Sequence, residues 1–184
     1  MKKFLIIALI LVMIPAVIFA KGFSFGLGAT ASTGSTISNV IENKSVDTKS
    51  FNYGAYANVK LLFFSVNATM FPKFNEDKTM EFAGDLAGNI AIDLTILRVQ
   101  AGLSVNYFGS ANQFKDWKFQ FEAEDLKDAP LNVRAEVDLM LGDLNIGVWG
   151  LLPTEATLMT LDKIIEVEDK WKDASVGICL GVCF

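Results

Sequence analysis

A chain of 184 residues is long enough for one domain built around a sizeable closed sheet. It is 52% hydrophobic yet 20% charged, which excludes a polytopic bundle of apolar helices, and its formal charge of −5 disfavours nucleic acid and other polyanions as partners. It contains no histidine, which removes the commonest general base, the commonest metal ligand and every Ser-His or Cys-His arrangement; no enzyme activity and no cofactor are expected.

Met1–Ala20 reads as a secretory signal peptide. Lys2 and Lys3 supply the positive start, Phe4 to Phe19 the apolar stretch and Ala20 a small residue before cleavage. The apolar run is long enough for a retained anchor helix, but Pro15 and the small residue favour removal. The mature domain is then expected over residues 21–184.

From there the side chains alternate with a period of two, the period of a β-strand. In Phe23–Ala31 the residues Phe23, Phe25, Leu27 and Ala29 form one face, with Ser24, Gly26, Gly28 and Thr30 opposite. The letters Gly26 to Ala31 match a nucleotide fingerprint, but no strand before them and no helix after them supports that reading. Ser32–Ser50 is a long polar loop. The second strand, Phe51–Lys60, passes almost directly into the third, Phe64–Phe71. Pro72–Glu81 is a polar loop before the fourth strand, Phe82–Leu94. A turn at Thr95-Ile96 leads to the fifth, Leu97–Phe108.

Gly109–Pro130 is a long acidic loop in which Trp117, Phe119, Phe121 and Ala123 still alternate, as a hairpin extension would. The sixth strand, Leu131–Met140, turns at Leu141-Gly142-Asp143 into the seventh, Leu144–Leu152. Pro153–Asp173 is the last loop, with a short helical turn expected, and the final eleven residues are the eighth strand.

The connections run long, short, long, short, long, short, long. Long surface loops alternating with tight periplasmic turns are the rhythm of transmembrane β-barrels, and strands of 9–11 residues are the length such barrels use. No charge falls on the outward face of any strand. Phe23, Phe25, Phe64 and Phe184 would form the girdle at one interface, and Phe51, Tyr53, Met70 and Tyr107 the girdle at the other.

The inward rows carry Lys60, Asp93, Arg98 and Asp138 toward the short-turn end, and Asp85, Arg134 and Glu136 nearer the middle or the far end. A barrel of eight strands is just wide enough for side chains to fill, so these charges are expected to pair into a plug. Phe71, Phe108, Trp149 and Leu151 are inward and apolar at the outer ends of odd strands. They either line a greasy pocket or mark where alternation loses phase. Cys179 and Cys183 lie about 13 Å apart along one strand, beyond disulfide reach, and read as small inward fillers.

The last strand places Val176, Ile178, Leu180, Val182 and Phe184 on one apolar face and ends on the aromatic. It resembles the closing strand of bacterial outer-membrane barrels. Over residues 21–184 the chain resembles the small eight-stranded members of that class, the OmpX, OmpW and OmpA membrane-domain type. The resemblance implies an antiparallel up-and-down barrel with periplasmic termini and extracellular loops, and assembly machinery that reads Val176 to Phe184. It implies outer-membrane lipid as surroundings. The function expected is a surface-interaction, adhesin-type or structural barrel without a wide pore, contacting an extracellular protein. The alternative is a conduit or pocket for small hydrophobic molecules.

Overall fold

The computed structural model describes residues 22–33, 51–76, 79–112, 115–121, 126–165 and 170–184; the signal-peptide reading of Met1–Ala20 lies outside them. Nine strands are present among these residues: β1 (Phe23–Thr33), β2 (Phe51–Leu61), β3 (Phe64–Phe74), β4 (Thr79–Leu94), β5 (Leu97–Asn112), β6 (Lys115–Phe121), β7 (Leu131–Leu141), β8 (Leu144–Pro153) and β9 (Ser175–Cys183). The eight expected strands are all there. The ninth, β6, is the alternating aromatic segment of the long acidic connection.

Every pairing is antiparallel, and the ladder closes. β1 pairs with β2 and β9, β4 with β5, β5 with β7, and β7 with β8. Only β6 stands outside the ring, at the end of the sheet order beside β5. Closure removes the exposed edges that an open sheet of this size would carry. β1 meets β9 from Gly26 opposite Cys183 to Ser32 opposite Gly177. Phe25 and Phe184 then exchange backbone hydrogen bonds of 3.1 and 2.8 Å, which locks the last residue onto the first strand.

Side-chain direction follows the alternation. In β4, Asp85, Ala87, Asn89 and Ala91 are buried, whereas Leu86, Gly88, Ile90 and Ile92 are exposed. Exposed apolar residues ring the molecule, among them Val66, Val99, Val137, Val148, Ile178 and Leu180. In water such a surface would drive aggregation; in a bilayer it meets its own kind of solvent.

Two-residue turns join β2 to β3, β4 to β5 and β7 to β8. Each starts on a positive φ, at Leu62 (56°), Thr95 (55°) and Gly142 (67°). The end of the chain lies at this same rim: Cys183 N–H donates to Asp143 O, and Leu62 N–H to Gly22 O.

At the opposite rim the strands run further than the sequence loops suggest. β3 continues to Phe74 and β4 begins at Thr79, so the polar stretch Pro72–Glu81 is largely strand. β4 and β5 stay paired from Leu94 opposite Leu97 up to Thr79 opposite Asn112. β5 pairs with β7 only as far as Val105 opposite Leu131, and from Tyr107 opposite Phe121 it pairs with β6. The result is a ribbon of β3, β4, β5 and β6 standing above the barrel. Leu131, read from parity as outward, is buried instead, because Leu131 N–H donates to Ala156 O and Leu131 O accepts from Thr154, folding that segment over it. The last connection contains two short 3-10 turns, Leu161–Ile165 and Lys170–Asp173.

Candidate functional site: the packed lumen and its mouth

The inward rows bring the seven charged residues into one space. At the short-turn end Asp93 bridges two cations, with Lys60 Nζ at 2.9 Å and Arg98 Nε at 2.7 Å. Arg98 also donates to Asn58 Oδ1 (3.3 Å) and Ser24 Oγ (3.1 Å). Further along, Arg134 reaches Asp85 with one terminal nitrogen at 2.6 Å and Glu136 with the other at 2.9 Å. Glu136 accepts in addition from Tyr56 Oη (2.9 Å) and Asn67 Nδ2 (2.6 Å), and Asp85 from the Thr69 hydroxyl.

The two ion-paired groups are one network. Asn58 accepts from Arg98 and donates to Asn67, which donates to Glu136. A continuous run of polar contacts therefore passes from Lys60 to Asp85. Arg98 and Arg134 are each 1% exposed or less, so the pairing is what makes their burial tolerable. Asp138 accepts from Gln100 Nε2 at 2.8 Å, and Gln100 in turn accepts from Ser65.

Cys179 and Cys183 are both free and buried. The Cys179 thiol lies 3.6 Å from Glu136 Oε1 and 3.8 Å from Asp138 Oδ1, as a weak S–H donor between two acceptors. Among the described residues this is the one trio of Cys and carboxylate groups that converges, its donor atoms all within 4.8 Å.

An aromatic layer covers the charges. The Arg134 guanidinium sits 4.9 Å from the Trp149 ring centre, an amphipathic stacking that shields the cation on one side. Trp149 Nε1–H donates to Thr30 Oγ1 at 3.1 Å. Tyr56, Trp149 and Cys179 form a buried cluster against which Phe71 and Leu151 pack. Of the four apolar inward residues, Phe71, Trp149 and Leu151 thus fill the lumen as a cap. Phe108 stands apart, 40% exposed at the mouth.

Above the cap lies a cleft of about 380 Å³ lined by Asn52, Phe71, Lys73, Glu81, Ala83 and Phe108. It combines aromatic walls from Phe71, Phe82 and Phe108 with a cross-strand Lys73–Glu81 pair. Its two charged residues come from the parts of β3 and β4 that extend past the strand bounds the sequence suggests, where alternation merges into polar stretch. Tyr56, Asn58, Asn67 and Gln100 are further members of the network that a list of charges misses; their inward parity is the signal that finds them.

At the closing seam Ile178, Leu180 and Val182 are exposed and Val176 half-buried on the outward face, while Phe184 (75% exposed) and Phe23 (63%) mark the short-turn rim.

No protein-family model matches this chain, and no curated protein does. Solved structures do resemble it at low identity. Neisserial surface protein A is 13% identical, with 89% of this chain and 96% of that one covered at a TM-score of 0.40. Ail, the attachment invasion locus protein of Yersinia pestis, solved with the heparin analogue sucrose octasulfate, is 10% identical over 88% and 97%, TM-score 0.39. The N-terminal β-barrel domain of Pseudomonas aeruginosa OprF is 11% identical over 89% and 98%, TM-score 0.41. The chain's own closed register makes it an all-β, eight-stranded antiparallel up-and-down barrel.

Proposed function

We propose that this chain is an integral protein of the bacterial outer membrane, with its short turns and the end of the chain in the periplasm. Its lumen is a permanent seal, and its work is done by the surface it presents outside the cell. It is a surface-interaction or structural barrel rather than an enzyme. The observation that carries this reading is the continuous ion-paired network from Lys60 to Asp85 beneath the Tyr56, Phe71, Trp149 and Leu151 cap. A solute crossing the barrel would have to break buried charge pairs, each costing about 3–5 kcal/mol when one partner is lost. The uncharged outward rows support membrane insertion, and the seam from Val176 to Phe184 supports a role as the segment read during assembly. Extracellular protein is the partner class in keeping with the acidic connections; nucleic acid is not.

Planar-bilayer recording on the reconstituted protein tests the seal. The baseline should stay flat; discrete, reproducible conductance steps from the wild type would refute it. Trimming the long connections should then remove partner or cell adhesion while leaving the folded barrel intact, and unchanged adhesion would remove the surface-interaction half of the proposal.

The mouth cleft favours a second reading, a binding pocket for small amphipathic aromatics. Phe71 and Phe108 offer stacking, and Lys73 and Glu81 offer a polar handle. Titration with a fluorescent naphthalene sulfonate should show saturable binding that Phe108→Ser weakens. Binding that is absent, or indifferent to Phe108→Ser, would discard this reading.

A further inference from the structure

The charges of the lumen do not balance among the described residues. Lys60, Arg98 and Arg134 face Asp85, Asp93, Glu136 and Asp138, so carboxylates outnumber cations by one. Asp93 bridges two of the cations, and Arg134 holds Asp85 and Glu136. Asp138 is the carboxylate left over. It is fully buried, and its partners are the Gln100 amide and the Cys179 thiol. A buried charge without a counter-charge is costly, so this position favours a positive group.

The side chains around it are arranged to receive one. Each carboxylate has one oxygen held and the other presented. Glu136 gives Oε2 to Arg134 (2.9 Å) and Asn67 (2.6 Å), and its Oε1, which also accepts from Tyr56, faces Cys179. Asp138 gives Oδ2 to Gln100 (2.8 Å), and its Oδ1 faces the same sulfur. Outer partners of this kind hold a ligating oxygen in place. Cys179 Sγ lies 3.6 Å from the first presented oxygen and 3.8 Å from the second. A thiol has one proton and cannot donate to both at once. In a tetrahedral zinc site, a Zn–S bond of about 2.3 Å and a Zn–O bond of about 2.0–2.2 Å set sulfur and oxygen about 3.5–3.7 Å apart. The trio is already close to that spacing.

Two further observations point the same way. Gly147 of β8 lies opposite both Asp138 and Cys179 and forms the floor beneath them. A Cβ there would fall 2.2 Å from Asp138 Oδ1 and 2.5 Å from Cys179 Sγ. The next inward residue of β8, Asn145, is 2% exposed, and its Oδ1 has no hydrogen-bond partner. Gly147 beside it and Gly181 opposite it put no side chain between that oxygen and the trio.

We infer that Glu136 Oε1, Asp138 Oδ1 and Cys179 Sγ bind one zinc ion inside the barrel, with Asn145 Oδ1 toward its fourth side. A thiolate with two carboxylates suits zinc, whereas magnesium and calcium take oxygen alone. On binding, the thiol proton passes to solvent as the sulfur–zinc bond forms. The two positive charges of the ion then offset the thiolate and the leftover carboxylate, and the lumen becomes neutral. The ion ties β7 to β9 across β8, next to the closing seam. This goes beyond the surface reading above and does not depend on it.

Refolding the full mature chain into detergent micelles with zinc chloride, then passing it over a chelating resin, tests the site. The ion enters while the barrel is still open, and heat-modifiable gel migration confirms folding. Folded wild type should retain about one zinc per chain. Cys183→Ala should retain as much, and Cys179→Ala and Cys179→Ser should fall to background. Refolded with cobalt(II) chloride instead, wild type and Cys183→Ala should show a near-ultraviolet thiolate-to-cobalt charge-transfer band. That band in Cys183→Ala is read with the site unaltered, so it decides the matter even where the Cys179 variants do not fold. Background zinc in folded wild type overturns the inference. So does undiminished zinc in folded Cys179→Ala, or a cobalt complex of Cys183→Ala without the thiolate band.

Discussion

Arg134 holds the interior together, and its substitution separates two energetic contributions. Its planar fork spans Asp85 and Glu136 while its face lies on Trp149. Arg134→Ala would leave two buried carboxylates without their cation, and should destabilise the barrel by about 3–5 kcal/mol in urea unfolding from vesicles. Arg134→Lys keeps the charge but loses the two-pronged geometry, so its midpoint should fall between the two. Equal midpoints for Arg134→Ala and wild type would mean the pairs contribute nothing. Asp93 offers a contrast, because its side chain is 19% exposed and water already shares its solvation. Asp93→Asn should cost less than Asp85→Asn in the same assay.

Alternation in the sequence placed each of these charges on the inner face, but it could not pair them. Pairing depends on the stagger between strands, which tight turns and long loops leave undetermined from composition. That stagger is what sets Trp149 against Thr30 and Arg134, in a cap over the charges rather than in an open pocket. Only Phe108 of the four apolar candidates keeps a mouth position together with a face of Phe71.

At the scale of elements, the ribbon of β3, β4, β5 and β6 departs most from the sequence reading. Its residues are polar and acidic enough to read as loop, yet they pair through Thr79 and Asn112. Two glycines explain how aromatics fit there. The Tyr107 ring lies over Gly84 and the Phe82 ring over Gly109, where an ideal Cβ would come within 2.1 Å of the Phe82 ring. Cross-strand aromatic cover of this kind stabilises a glycine in a strand. Gly109→Val should unseat Phe82 and speed amide exchange across Thr79–Phe82, while the barrel strands keep their protection. Slow exchange throughout would show that the ribbon does not depend on that contact. The short turns were legible from sequence, but their geometry was not. Thr95 takes a positive φ at a position where Gly142 does so freely in the equivalent turn. Thr95→Gly should therefore be neutral or stabilising by up to about 1 kcal/mol in the same urea series, whereas Thr95→Val should destabilise.

For the whole molecule, the fold was legible because one rule repeats along the chain. Each strand shows lipid-compatible residues on one side and polar or small ones on the other, and the loop lengths alternate. What the rule leaves undecided is the top of the molecule, where strands outrun the bilayer and parity no longer equates outward with exposed. Leu131, outward by parity and buried under Thr154–Ala156, marks that boundary. Below it parity holds throughout, and Ile90→Lys should cost about 2–4 kcal/mol of stability in lipid.

The most direct measurement is a spin-label scan along β4 from Leu86 to Ile92 in lipid vesicles, in a background where Cys179 and Cys183 are replaced by alanine. Labels at 86, 88, 90 and 92 should collide freely with oxygen dissolved in the bilayer and little with a water-soluble nickel complex, while labels at 87, 89 and 91 should be immobile and shielded from both. Accessibility to the nickel complex on both faces, or collision rates with no period of two, would contradict a lipid-embedded barrel with a sealed interior.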